Sequence, residues 1–253
     1  MKMRNLKNLY FLAPTLIFVL LWQFMSTSGL VNNILFPPPT KVFSAFIELI
    51  KSRELYLHAT TSLSRVFIGL FIGSFFGIIF GILTGRVKII DKSLSPLFHI
   101  FRAFPPVAII PLVIAWLGIG EKAKLFSISF AVFFPVWINS HIGASSIPVY
   151  YLRAASTLTK SPFKKWLKLI LPASLPFAVA GVRTGIAMAF IMIFVSELAG
   201  SSSGIGYLIS VSHLAYRIDQ MIVGLILLGF FGAFTDYVFV RIIRVVFPWI
   251  EKI

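Results

Sequence analysis

The stretch Tyr150 to Pro172, YYLRAASTLTKSPFKKWLKLILP, is a basic, polar island lying between two long apolar runs, and the organisation of the chain follows from it. Leu152 to Leu158 predicts one short helix, and Ser161-Pro162 supplies an N-cap and a first-turn proline for a second, Pro162 to Ile170. Lys160, Lys164 and Lys168 recur at i, i+4 and i+8 with Lys165 beside them, so the second helix carries a cationic face. Ala154 and Ala155 leave the first helix almost bare, a surface suited to insertion into a groove. The expectation is a helix-turn-helix elbow within a loop at 148–171.

Outside the island the chain is apolar. Of 253 residues 58% are hydrophobic and 12% charged, with a mean hydropathy of +0.94. The apolar share exceeds, and the charged share falls well below, what an ordinary soluble domain carries. They identify an all-α, polytopic membrane protein, a single transmembrane domain over 1–253. The formal net charge of +15 is scattered between apolar runs instead of forming one stripe, which argues against nucleic acid as a partner and for membrane lipid and topology. The absence of cysteine excludes disulfides and thiolate metal sites. There is no H-E-x-x-H, G-x-S-x-G or P-loop, so neither hydrolytic catalysis nor ATP hydrolysis is expected of this chain. His141 lacks a partner histidine or carboxylate in sequence, so no metal site is expected.

In order along the chain, apolar runs place spans at about 9–25, 62–83, 94–117, 125–142, 173–198 and 221–246, about six transmembrane helices. The first follows Lys2, Arg4 and Lys7 and reads as a retained helix instead of a cleaved signal. Pro37-Pro38-Pro39 then breaks the chain, with Thr40 capping a short amphipathic surface helix. In the second span Gly69, Gly73, Gly77, Gly81 and Gly85 repeat at i+4, a seam for close helix packing. A hydrophilic turn, Arg86 to Lys92, follows. The third span holds Arg102 with Pro105, Pro106 and Pro111, and is expected to be irregular. Gly118-Ile119-Gly120-Glu121 reads as a tight turn.

Six spans put both termini on one side. Fourteen basic residues fall with the termini, the 86–92 turn and the island, against seven on the other side. The positive-inside rule therefore places termini and elbow in the cytoplasm. Arg102, Arg183, Glu197 and Asp236 remain within spans, and such residues are candidates for a substrate pathway. Arg183 and Glu197 are about 21 Å apart along one helix and share a face without touching. Arg183 and Asp236 sit at similar depth on consecutive antiparallel spans, where they form either a bridge between helices or part of a pathway.

Arg153-Ala154-Ala155, Thr159 and Ile170-Leu171-Pro172 resemble the "EAA" loop of permease subunits of bacterial ATP-binding cassette importers, with arginine in place of the acidic residue and threonine in place of glycine. Further segments resemble the same family: PPPTKVFSAF at Pro37 to Phe46, H-x4-L-x-R-V at His58 to Val66, and A-x-x-P-L-x3-W-L-G-I-G-E at Ala108 to Glu121. So do F-F-P-x3-N at Phe133 to Asn139 and V-R-x13-E-x5-S-G-I-G-Y-L-I at Val182 to Ile209. Together they look most like the branch serving nitrate, sulfonate, taurine and bicarbonate importers. The resemblance implies that the elbow is a coupling helix docking on an ABC ATPase subunit through Arg153, Ala154, Ala155, Thr159, Lys160, Pro162, Leu171 and Pro172. It also implies that ATP and Mg are bound by that partner, and that an extracytoplasmic substrate-binding protein delivers a small anion. A second copy of the chain would share the pathway, in a bacterial cytoplasmic (inner) membrane. A stand-alone secondary transporter is the alternative; it needs no docking elbow. A polytopic membrane enzyme would need clustered intramembrane carboxylates or histidines.

Overall fold

The computed structural model describes residues 2–249, with side chains from residue 13 onward. The helices are α1 (Lys2–Thr27), α2 (Pro39–Lys51), α3 (Glu54–Arg86), α4 (Lys88–Ala103), α5 (Ile110–Leu117), α6 (Glu121–Ser145), α7 (Val149–Leu158), α8 (Pro162–Lys165), α9 (Leu171–Leu198), α10 (Ile205–Leu214) and α11 (Ile218–Val246). A 3₁₀ turn, Pro106–Ile109, leads into α5, and a π-helical turn, Trp166–Ile170, joins α8 to α9.

The centre of the fold is α6, with α3 parallel to it on one side and α9 antiparallel on the other. The glycines of α3 create this arrangement. A Cβ at Gly69, Gly73, Gly77, Gly81 or Gly85 would collide with Ile128, Val132, Val136, Ser140 or Ala144 respectively, so one i+4 row of α3 lies against one i+4 row of α6. Gly181 and Gly185 of α9 approach Val136 and Val132 in the same manner. Between these backbones Val66, Ile128, Val132, Val136, Ile186 and Ile193 are fully enclosed. Small residues do here what hydrophobic burial does in water, because lipid is as apolar as the side chains and close van der Waals contact must supply the attraction.

Among the described residues four helices are long and apolar enough to cross a membrane: α3, α6, the continuous run Pro162–Leu198, and α11. The pair of α4 with Pro106–Leu117 makes a fifth if counted as one broken span. In α1 the part with described side chains, Ala13–Thr27, is a shorter apolar helix. The side chains of Lys2, Arg4 and Lys7, and all of Lys252, lie outside the described residues.

The structure differs from the sequence expectations at three places, and it gives the expected irregularity of the third span a definite form. The hydrophilic turn after the second span is a single residue, Val87, and Lys88 to Lys92 already form the first turn of α4. The irregular third span is a 92° bend: α4 ends at Ala103, and Pro105 and Pro106, which lack backbone donors, start the 3₁₀ turn. Pro38, not Thr40, is the N-cap of α2, with Pro39 at its first position. The second elbow helix does not stop before Pro172 but runs into the fifth span. The π turn accounts for this, since Pro172 has no N–H for the carbonyl of Lys168 and the ladder shifts so that Leu171 donates to Trp166.

Away from the elbow, α2 buries Val42, Ala45 and Leu49 against Leu208 and Val223. Arg217 clips it in place by donating to Glu48 (2.7 Å) and Asp219 (3.1 Å), and the two carboxylates, Glu48 foremost, push the guanidinium pKa up.

If the α3–α6 seam holds the bundle, Gly81→Leu should cost about 1–3 kcal/mol by overpacking. Gly229→Leu, where a Cβ meets nothing within 4 Å, should be neutral. Thermal unfolding of the two solubilised variants checks this, and equal midpoints would show that the seam is not needed.

Candidate functional site: the elbow and the charged groups of the spans

The elbow is assembled from α7 and α8 with an extended link. Pro148 caps α7, and Thr159 leaves the helix in the β region (φ −154°, ψ 138°), so the glycine usual in such loops is not required for its conformation. Thr159 Oγ1 accepts from the Ser161 N–H (3.2 Å), and Ser161 Oγ in turn accepts from the Lys164 N–H (3.4 Å), as its N-cap position predicts.

The turns of α7 present two faces. Tyr150, Arg153, Ala154, Thr157 and Leu158 point away from the protein, with Leu158 86% exposed. Leu152, Ala155 and Ser156 face inward and line a cavity of about 250 Å³ with Arg86, Val87, Pro162, Lys165, Trp166, Leu169 and Ile170. Ala154 and Ala155 therefore lie on different sides of the helix. Lys160, Pro162, Lys164 and Lys168 are exposed, Leu171 is exposed and Pro172 is half-buried.

Arg183 and Asp236 form a two-point ion pair, Nε to Oδ1 at 2.8 Å and Nη2 to Oδ2 at 3.0 Å. The pair joins α9 to α11, and both side chains are open to the surroundings, 43% and 32% exposed. Arg183 stands about 18 Å along the helix from Leu171, and Asp236 about 15 Å from the end of α11 at Val246, both far from the span ends. Arg102 is exposed at the end of α4 and has no ionic or hydrogen-bonded partner among the described residues.

Glu197 is a different case: its side chain is completely enclosed. Its carboxylate accepts from Ser62 Oγ (2.8 Å), Arg65 Nη1 (2.7 Å) and the Gly206 N–H (2.9 Å). Ser62 Oγ accepts the Ile205 N–H (2.8 Å), and His58 Nδ1 accepts the Gly204 N–H (3.1 Å). The first three donors of α10 are thus satisfied by side chains of α3 and α9, and a buried carboxylate sits at a helix N-terminus, where the dipole favours it. Gly204 is needed twice over, for its φ of +117° and because a Cβ would run into the Glu197 carboxylate. Arg65 continues outward, with Nη1 donating to the Ser203 carbonyl (2.7 Å) and its Nε and Nη2 forking onto Glu121 at the start of α6.

Sequence reasoning gave Arg65 no role beyond counting it among the seven basic residues on the side opposite the termini, yet it is 4% exposed. A usable signal was present. The quoted segments around His58 to Val66, Glu121, and Glu197 to Ile209 supply nearly every group of this network. Among the described residues no three histidine, aspartate or glutamate side chains come close enough to hold a metal ion.

Comparison with known proteins agrees with this architecture. The family described as the binding-protein-dependent transport system inner membrane component matches residues 59–252. A Bacillus subtilis (strain 168) protein named as an aliphatic sulfonates transport permease, SsuC, is 34% identical over 233 residues, covering 92% of this chain and 84% of its own. The taurine transport system permease protein TauC of Escherichia coli (strain K12) is 26% identical, covering 90% and 85%. Among solved structures, the MetNI methionine ABC transporter in an inward-facing conformation shares the fold, with a TM-score of 0.62 at 20% identity over 77% of this chain and 95% of that one.

Glu197→Ala removes the enclosed acceptor of Ser62, Arg65 and the Gly206 N–H, so it should destabilise the solubilised protein by about 3–5 kcal/mol. Glu121→Ala removes an exposed acceptor and should cost about 1 kcal/mol or less. Chemical unfolding read by tryptophan fluorescence checks the ranking; equal losses would contradict the enclosed role of Glu197.

Proposed function

The chain belongs to the binding-protein-dependent transport system inner membrane component family and is a permease subunit of an ABC importer, and from that premise we propose that it moves a small oxyanion inward, driven by an ATPase subunit seated on the elbow. The relatives named above disfavour a stand-alone secondary transporter. A multi-pass protein of the inner membrane with ATPase and substrate-binding partners follows from the family. The homodimer, the cytoplasmic position of elbow and termini, and the anion belong to the proposal. ATP and Mg²⁺ are bound by the partner, and this chain contributes no catalytic group.

The observation that carries the reading is the outward face of α7. Leu158, Tyr150 and Ala154 form an exposed apolar strip beside Arg153 and Lys160, at the end of the bundle where Arg86, Lys164 and Lys168 also gather. An apolar strip of this kind outside the spans marks a protein contact. The charge asymmetry along the sequence supports placing that end in the cytoplasm. Thr159 and Pro162 hold the strip by setting the link and the start of α8, and Leu171-Pro172 connect it to the fifth span.

The solute class rests on the sulfonate and taurine relatives and on Arg183 with Asp236. A charged pair this exposed in mid-span is costly against hydrocarbon, so a second copy of the chain or water must cover it. In a homodimer with these faces inward, the Arg183 guanidinium offers a planar fork for a sulfonate, nitrate or bicarbonate. Arg102, unpaired at the bend of α4, is a further cation for the route, and the enclosed Glu197 supports it through α10.

Two experiments test these assignments. Leu158→Asp and Ala154→Asp should leave permease abundance unchanged but lower the co-purified ATPase subunit at least about tenfold, since a carboxylate would be buried in the contact without a partner. Normal retention and normal uptake would remove the elbow from the mechanism. For the solute, Arg183→Gln should abolish uptake in an assembled complex. The charge-swapped double variant Arg183→Asp with Asp236→Arg separates the roles: restored uptake would show a structural bridge only, while continued failure supports a guanidinium that must face the anion from α9.

A further inference from the structure

The cavity on the inner side of the elbow differs from the docking face and is independent of the solute. Its polar wall holds Arg86, the last residue of α3, and Lys165 of α8. Arg86 spends one donor on the Ala144 carbonyl (3.3 Å), and Lys165 one on Ser156 Oγ (3.0 Å), which leaves both cations with N–H groups to spare. Among the described residues neither has a carboxylate within ion-pair distance. The nearby Asp91 is engaged by Ser95 and faces His141 at 3.9 Å. The remaining wall is apolar, with Leu152, Val87 and Ile170 beside the Trp166 ring.

Trp166 is shared with a second cavity of about 250 Å³ that runs along α3 between Ile78, Ile82 and Leu83 on one side and Leu167 and Leu171 on the other. A two-cation chamber at the end of a span thus lies on one side of Trp166, and an apolar groove directed along that span lies beside the same residue. We propose that these adjoining cavities bind one anionic phospholipid, with its phosphate between Arg86 and Lys165 and an acyl chain passing Trp166 to lie along Ile78, Ile82 and Leu171. Basic pockets at the ends of membrane spans recognise lipid headgroups through this chemistry. An acidic segment of a protein partner would match the charge but not the groove. The lipid bridges α3 to the elbow, on the side of α7 opposite Leu158, and so braces the elbow from behind.

Native mass spectrometry of the purified permease–ATPase complex, exposed to phosphatidylglycerol or phosphatidylcholine in detergent, tests this. Phosphatidylglycerol should be retained preferentially. Lys165→Gln and Arg86→Gln should each lower its retention about fivefold, as expected for one cation at a headgroup. Lys165→Arg should preserve it, and Leu167→Asp, which puts a charge in the groove, should lower the retention of both lipids. Equal retention of the two lipids by the unaltered complex, or unchanged retention in Lys165→Gln, would overturn the proposal. Displacement of the lipid by millimolar inorganic phosphate would show a free-anion site instead. Loss of the ATPase subunit from Lys165→Gln, with lipid retention intact, would assign the chamber to a protein contact.

Discussion

Helices in a bilayer gain nothing from hiding apolar side chains from one another, so the fold depends on how closely α3 and α6 approach. Five glycines spaced by four residues remove every obstruction along one side of α3, and Ile128, Val132, Val136, Ser140 and Ala144 fill the space. Because the two helices run parallel, the chain between them must return the full distance, which α4 and α5 do with a sharp bend. On the opposite side Gly181 and Gly185 admit α9, and the three-helix centre is then complete. Each remaining element is attached to an end or a face of that centre.

At one end the attachment is ionic. Glu197, Arg65 and Glu121 come from α9, α3 and α6, so the network ties together the three helices that the glycines bring into contact, and it spends its remaining hydrogen bonds on the start of α10. A buried ion pair contributes little net stability compared with apolar packing, but it tolerates no change of register. The glycine rows alone would allow α3 to slide by one turn on α6; the fork from Arg65 onto Glu121, at the start of α6, fixes which turn is used.

Much of this was legible in the sequence. The i+4 glycines, the Ser161-Pro162 start and the depth match of Arg183 with Asp236 are local or periodic signals, and the structure shows a seam, a capped helix and a 2.8 Å ion pair at those places. Arg65 with Glu197 was not legible, because the two are separated by 132 positions and each looks like an isolated charge near the end of a span. The continuity of α8 with α9 was hidden by Pro172, which reads as a helix start when only a regular α ladder is considered. A π turn supplies the extra room a proline ring needs, and no residue pattern announces it. The two faces of α7 were missed because Ala154 and Ala155 are equally small; their neighbours, Leu158 on one side and Leu152 on the other, decide which way each points.

That continuity has a mechanical consequence. Had the second elbow helix ended before Pro172, a push on α7 could have been absorbed by a flexible joint. Instead the helix runs for 37 residues from Pro162 to Leu198, so the elbow and the fifth span share one continuous helix. Such a rod has few places to yield. Pro176 leaves the Pro172 carbonyl without its usual donor, and the π turn shifts the ladder by one residue, so bending concentrates between Trp166 and Pro176. Beyond that point Gly181 and Gly185 hold α9 against α6, and the enclosed Glu197 anchors its far end to α3. A force applied at the elbow would therefore bend the helix before Gly181, and the exposed ion pair nearest that bend is Arg183 with Asp236 of α11. Arg183 stands between the two glycines that hold α9 to α6, so its bond to Asp236 ties α11 to the held part of α9 and not to the part that bends.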